Sequence, residues 1–291
     1  MLQSERPADA VDLVTFEGST RTCETLVCLP THNEGETIGP LIDAILRLPV
    51  TCDVLVIDDL SLDRTRVEVD LRVTADARVS MIGRPRKLGV GSAHRLGWLY
   101  ARRLGYARIV TLDADLSHDP ADIPRLLDRL DKGADFVIGS RFAPGGRLDY
   151  RGLRRFISRG ANLFASLLLR LSLAEHTTSL RAARLDRVPA GLVETIDSEG
   201  YAFFLTCMTR IVRAGLQVVE IPIHFHDRQQ GESKLPPIEI VRCFFALLRL
   251  VRVGQQAEAF GDLPDRAHTC PTCNYPCCVP SGDGLRCLIC S

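Results

Sequence analysis

Thr111–Pro120 reads TLDADLSHDP, and this stretch decides how the rest of the chain is organised. Ile109, Val110 and Leu112 form the short β-branched and aliphatic run of a buried strand. Side chains alternate across a strand, so a strand that ends on Asp113 and Asp115 sends both carboxylates to one face. Open α/β sheets bind ligands at the carboxyl edge of their strands, which is where this pair is expected. Close carboxylates repel unless a cation or a shared proton intervenes. A hard divalent ion, Mg²⁺ or Mn²⁺, also bound to substrate phosphates, satisfies them. The plainer alternative is a solvated pair ahead of a helix started by Asp119-Pro120.

Outward from this stretch, strands and helices alternate. Thr25–Leu29 is a strand stopped by Pro30, and the loop Pro30–Glu34 leads into a helix with Ile38, Leu41, Ile42, Ile45 and Leu46 at helical period. Asp53–Ile57 is a second strand ending in Asp58-Asp59, and Val79–Ile82 a weaker third. A Gly-opened helix covers Lys87–Arg103, another runs through Ile123, Leu126, Leu127 and Leu130, and the strand Asp135–Ile138 ends in Gly139-Ser140-Arg141. The pattern predicts an α/β fold, a doubly wound, mostly parallel sheet with flanking helices. Each polar cluster lies just after a strand, so topology gathers all of them along one edge, which favours a binding role for the Asp pair. Gly89-Val90-Gly91 is too far from the first βα unit to be a dinucleotide fingerprint; helix capping explains it.

After Arg141 the character changes. Arg141, Arg147, Arg151, Arg154, Arg155 and Arg159 crowd one region, and Leu153–Leu171 and Ser198–Ala214 read as helices. Gln217–Phe225 alternates as a strand, and Ile238–Val253 is a helix with apolar and basic faces that suits either the core or a membrane surface. Of 291 residues 46% are hydrophobic and 25% charged, as in a globular protein, and the zero net charge gives no general attraction to nucleic acid. No span reaches the apolar length of a transmembrane helix and no signal segment is visible at the N-terminus, so a cytoplasmic protein is expected. The expected units are an N-terminal arm (1–24), the α/β domain (25–235), the amphipathic helix (236–256) and a Cys-rich tail (257–291).

The chain resembles the polyprenyl-phosphate (dolichol-phosphate) mannose synthases, inverting glycosyltransferases of the GT-A fold and family 2. The resemblance rests on LPTHNE (29–34), VIDDLSLDRT (56–65), RPRKLGVGSA (84–93), LDADLSHDP (112–120), GSRFAPGG (139–146), RFISRGAN (155–162) and DRQQGESKL (227–235). It implies a metal-dependent transfer of mannose from GDP-mannose to a polyprenyl phosphate. It places the nucleotide against Pro30, His32, Glu34, Ile57, Asp59 and Ala114, and the metal on Asp113 and Asp115 with Ser117 as a weaker ligand. Arg228 and Lys234 close over the donor. Arg141, Arg154 and Ser158 orient the acceptor phosphate, whose second pKa near ~6 leaves it ionised without a carboxylate base. A lipid acceptor implies membrane contact, through the surface itself or a membrane-protein partner. The chain departs from the family pattern at His32, at residues 175–181, and at Phe204 and Thr206.

Cys270-Pro-Thr-Cys273 and Cys287-Leu-Ile-Cys290 are two C-x-x-C knuckles, the spacing of a zinc ribbon, with Cys277 and Cys278 as alternative ligands. Few basic residues surround them, so a structural Zn²⁺ or protein docking fits better than nucleic acid. Two other functional readings are a UDP-sugar donor or soluble phosphate-bearing acceptor on the same fold, and a non-catalytic scaffold that docks through the tail.

Overall fold

The computed structural model describes residues 16–17, 21–149, 152–227, 237–253, 278–281 and 284–287; for 16–17, 153–155, 157, 237–242, 244, 253, 278–281 and 284–286 the description extends to the main chain alone. In chain order the strands of the central sheet are β1 (Phe16–Glu17), β2 (Thr25–Thr31), β3 (Asp53–Asp58), β4 (Val79–Gly83), β5 (Arg108–Thr111), β6 (Phe136–Ser140), β8 (Arg181–Arg184) and β9 (Val218–Pro222). Two short strands, β7 (Arg147–Leu148) and β10 (His224–Phe225), pair with each other beside it. The sheet order is β1-β4-β3-β2-β5-β8-β6-β9. Strands β4, β3, β2 and β5 run parallel, as do β6 and β9.

Alternation along the strands feeds two apolar layers, one on each face. On β2, Leu26 and Cys28 enter one core while Val27 and Leu29 enter the other; on β3, Leu55 and Ile57 oppose Val54 and Val56. The first layer is closed by α3 (Val90–Arg103) and α6 (Gly200–Arg213), through Leu96, Leu99, Phe203, Met208 and Ile211. The second is closed by α1 (Ile38–Leu46) and α4 (Ile123–Asp131), with Val69 of α2 (Thr65–Ala75). Helices on both faces make the sheet doubly wound, as the alternation of elements predicts. Helix α5 (Leu153–Leu169) and helix α7 (Pro237–Val253) pack on α6 as a separate layer through Ala165, Leu169, Leu205, Leu247 and Leu250. Among the described residues no helix is long and apolar enough to cross a membrane.

The structure corrects several boundaries. Strand β2 continues through Pro30 to Thr31, because its pairing with β5 stops at Cys28 opposite Thr111 and Pro30 has a strand neighbour on one side only. Helix α3 starts at Val90, since Gly89 has φ 90°, outside the helical region. Strand β8 is antiparallel and lies between β5 and β6, an insertion absent from the sequence reading. Its sequence, RAAR, offers just two small apolar residues and no hydrophobic signal. In the tail, β11 (Cys278–Ser281) and β12 (Gly284–Cys287) form an antiparallel hairpin with Cys278 opposite Cys287.

Candidate active site

Five loops leave the carboxyl ends of β2, β3, β4, β5 and β6 along one edge of the sheet. Strand β2 is flanked by β3 and β5, so the chain winds away in both directions from this point. The edge beyond it is the topological switch point where such sheets hold ligands.

The loops after β2 and β3 are stapled together. Asn33, with φ 58°, donates its N–H to Ser61 Oγ at 2.8 Å and accepts from the Leu62 N–H at 2.8 Å. Glu34 N–H donates to Thr65 Oγ1 at 2.8 Å, and Asp58, fully buried, accepts from the Ser61 N–H at 3.1 Å. His32 is tied across the two loops by its Nδ1, 2.8 Å from the Asp59 carbonyl oxygen. Asp59 accepts from the Gly89 N–H at 2.9 Å and ion-pairs with the buried Arg84. Burial pushes the Asp59 carboxyl up, and Arg84 with the Gly89 N–H offsets part of that rise. Pro30, His32, Glu34 and Asp59 thus share one rigid corner. Ile57 and Ala114 are buried, one in each core layer.

The Asp pair does not lie on a strand. Strand β5 ends at Thr111, and Asp113–Ser117 form a turn in which Leu116 takes φ 59°. Alternation therefore does not set the two carboxylates. Asp115 is buried and its Oδ1 accepts the Ser117 N–H at 3.0 Å, whereas Asp113 is partly exposed. Ser117 is wholly buried and its Oγ has no hydrogen-bond partner. An orphaned buried hydroxyl in the same turn as Asp113 and Asp115 offers oxygen donors of the kind Mg²⁺ or Mn²⁺ takes. Asp119 caps the next turn, accepting from the Ala121 N–H at 2.9 Å, as the Asp-Pro pair predicts.

Arg141 follows β6. Its Nε and Nη2 donate to the two carboxylate oxygens of Glu175 at 2.6 and 2.7 Å, and Nη2 also donates to Thr177 Oγ1 at 2.8 Å. Burial pushes the Glu175 carboxyl up, but the Arg141 charge and hydrogen bonds outweigh this and hold it below the ordinary glutamate range. Phe225 joins Arg141 to the acidic turn. Its ring lies 5.2 Å from the Arg141 guanidinium carbon and meets His118 edge-on at 5.1 Å. His118 bonds Thr178 Oγ1 at 3.1 Å, and burial pushes its pKa down to about 4, with the Asp115 charge opposing. It is therefore a neutral ring held between Thr178 and Phe225 within the acidic turn.

Helix α5 starts from the same edge. Ser158 lies in its second turn and its carbonyl accepts from Asn162 Nδ2 at 2.9 Å, while Asn162 Oδ1 accepts the His176 N–H at 2.8 Å. Arg154 is in the first turn of α5. Arg228 and Lys234, and Cys270, Cys273 and Cys290 of the tail, lie outside the described residues. Cys287 is described and buried. Of the departures from the family pattern, Phe204 is a core residue that packs edge-on to His94 at 5.0 Å and lies 4.8 Å beneath Arg181, and Thr206 bonds the Ala202 carbonyl at 2.8 Å. The sequence reading assigns no role to Glu175, His118 or Arg84, although Arg84 opens the RPRKLGVGSA motif, His118 lies within LDADLSHDP and Glu175 heads the departing segment 175–181.

A doubly wound sheet with an acidic turn and a fixed arginine at its switch point is the architecture of nucleotide-sugar transferases of the GT-A type. The same fold is seen in glucosyl-3-phosphoglycerate synthase from Mycobacterium tuberculosis, solved with Mn²⁺, UDP and phosphoglyceric acid, with TM-score 0.55 over 79% of each chain at 20% identity. A second structure of that protein, with Mg²⁺ and UDP, gives TM-score 0.56 over 79% of this chain and 80% of that one at 20% identity. Residues 26–186 match the model of glycosyl transferase family 2. The polyprenol monophosphomannose synthase of Mycolicibacterium smegmatis is 36% identical over 226 residues, 77% of this chain and 85% of that protein. The undecaprenyl-phosphate mannosyltransferase of Micrococcus luteus is 39% identical over 215 residues, 72% and 86% of the two chains. The chain belongs to glycosyl transferase family 2 and is a glycosyltransferase.

Proposed function

We propose that this enzyme moves mannose from GDP-mannose to the phosphate of a polyprenyl lipid, with inversion at the anomeric carbon. The observation that carries the reading is the Arg141–Phe225–His118 contact, which ties the arginine after β6 to the acidic turn and so supports a phosphate-binding cation near metal-binding acids. The named relatives at 36 and 39% identity support the substrate pair.

The corner of Pro30, His32, Glu34 and Asp59 receives the nucleoside, with acidic side chains accepting from ribose hydroxyls or base N–H groups. Asp113, Asp115 and Ser117 would hold Mg²⁺ or Mn²⁺, which supplies charge stabilisation to the departing diphosphate. Arg141, with Arg154 and Ser158, orients the acceptor phosphate for in-line attack by charge-assisted hydrogen bonds. Glu175 fixes Arg141 in one rotamer, so less side-chain freedom is lost when phosphate binds. Arg228 and Lys234 add positive charge over the donor.

Membrane contact belongs to the same proposal. Phe156, Leu163 and Leu167 of α5 are 76, 59 and 71% exposed, and Phe245 of α7 is 64% exposed. Exposed apolar side chains on adjacent helices, with Arg159, Arg249 and Arg252 also at the surface, suit a lipid interface in contact with anionic headgroups. Structural Zn²⁺ on Cys270, Cys273, Cys287 and Cys290 is supported by the knuckle spacing and by the hairpin that ends on Cys287. Arm, transferase domain, interfacial helix and zinc tail remain the proposed units.

The test is transfer from GDP-mannose, with UDP-glucose in parallel, to a short-chain isoprenyl phosphate in Mn²⁺. Mannosyl phosphate product that disappears in Asp115→Ala is expected. Transfer from UDP-glucose alone, or full activity in Asp115→Ala, overturns the reading.

A further inference from the structure

Three side chains converge beside the active edge without a part in the transfer chemistry. His224 and His226 are two residues apart and share one face of β10 and its extension. Asp149 follows β7, which pairs in parallel with β10, and its N–H donates to the Phe225 carbonyl at 3.1 Å. Its carboxylate therefore sits between the two rings. His224 Nε2 is 2.6 Å from one oxygen and His226 Nδ1 is 3.1 Å from the other, with the ring centroids 4.2 Å apart. One ligand atom from each of the three lies within 4.8 Å of the other two. The side chains are 38–43% exposed, so an ion reaches them from solvent and a fourth position stays open to water.

We propose that Asp149, His224 and His226 are a second divalent-cation site, of the two-imidazole and one-carboxylate kind, that takes Zn²⁺ rather than Mg²⁺. Imidazole nitrogens suit Zn²⁺, whereas Mg²⁺ selects oxygen ligands. Bonds of ~2.1 Å in a tetrahedron place ligand atoms ~3.4 Å apart, within small ring rotations of the arrangement seen. A neutral imidazole that ligates through the nitrogen facing the carboxylate carries its single proton on the other ring nitrogen. Arg147, opposite His224 in the strand register, opposes the cation. The site has a structural consequence. His226 N–H donates to the Ser117 carbonyl at 2.9 Å and Phe225 bridges to His118, so a bound cation fastens the β7–β10 pair against the acidic turn.

The experiment is equilibrium dialysis of the full chain against Zn²⁺ followed by metal analysis. Wild type is compared with His224→Ala, His226→Asn, Asp115→Ala and the tail variant Cys270→Ser/Cys273→Ser. Each His variant is expected to lose one equivalent, or to bind it at least about tenfold more weakly, while the tail and Asp115 variants retain it. With Co²⁺, the same equivalent shows ligand-field absorption without a thiolate charge-transfer band. Circular dichroism and GDP binding report that the variants are folded. Equal zinc content and affinity in wild type and a folded His variant overturn the proposal and leave a carboxylate that merely hydrogen-bonds two histidines.

Discussion

Glu175 grips Arg141 through both carboxylate oxygens, from a position with no solvent exposure, 34 residues further along the chain. Breaking a buried pair by removing one charge costs about 3–5 kcal/mol, because the other charge is left without compensation. Glu175→Gln is expected to lower stability by that order and to cut transfer at least tenfold, mainly through KM for the lipid phosphate. The pH dependence has a definite sign. The folded-state pKa of Glu175 lies below its ordinary value of 4.5, so its stabilisation is present above that value and is lost as pH falls through the folded pKa. Denaturant titrations of wild type should show that acid limb, and the Gln variant should lack it.

Buried histidines add a second acid limb at higher pH. Burial lowers His94 to about 3 and His118 and His176 to about 4, from 6.5. The unfolded chain binds more protons than the folded one between those values and 6.5, so stability falls as pH drops from 6.5. Urea midpoints measured at pH 7.5, 6.0 and 5.0 should decrease in that order, and the three imidazoles should remain neutral by NMR at pH 6.

Ser117 Oγ makes no hydrogen bond within the fold. Ser117→Ala should therefore change the melting temperature little while weakening Mn²⁺ binding several-fold in a titration with GDP present. A large loss of stability with unchanged Mn²⁺ affinity would remove Ser117 from the metal set.

At Gly97, helix α3 packs close against β2. A Cβ there would collide with Cys28 Sγ and lie 3.6 Å from Ile57 Cδ1. Overpacking of this kind costs about 1–3 kcal/mol. Gly97→Ala should lower the melting temperature, and if strand β3 shifts with Ile57, the proposed nucleotide site after β3 should also bind GDP more weakly.

Leu163 and Leu167 sit one turn apart on the exposed side of α5. Replacing both by Ser should reduce co-sedimentation with vesicles containing anionic lipid, and leave transfer to a water-soluble short-chain acceptor within about twofold.

Much of the site could be read before any coordinates. The β-branched run before Asp113, the clusters after each strand and the C-x-x-C pairs depend on local sequence, and hydrophobic period carries that information. Strand β8 was invisible because Arg181-Ala-Ala-Arg184 has no apolar pattern; its neighbours β5 and β6 make it a strand. The placing of Asp113 and Asp115 by strand alternation failed because the pairing of β5 ends at Thr111 and a left-handed Leu116 sets the turn.

The sequence alone determined the doubly wound α/β class, the acidic cluster after a central strand and the family to which the chain belongs, since each follows from residue order and period. The tertiary structure alone decided that Glu175 anchors Arg141, that Phe225 bridges Arg141 to His118 of the acidic turn, and that Asp149 meets His224 and His226. Those partners are distant in the chain, and only the docking of loops at the end of the sheet brings their charges and rings within reach of one another.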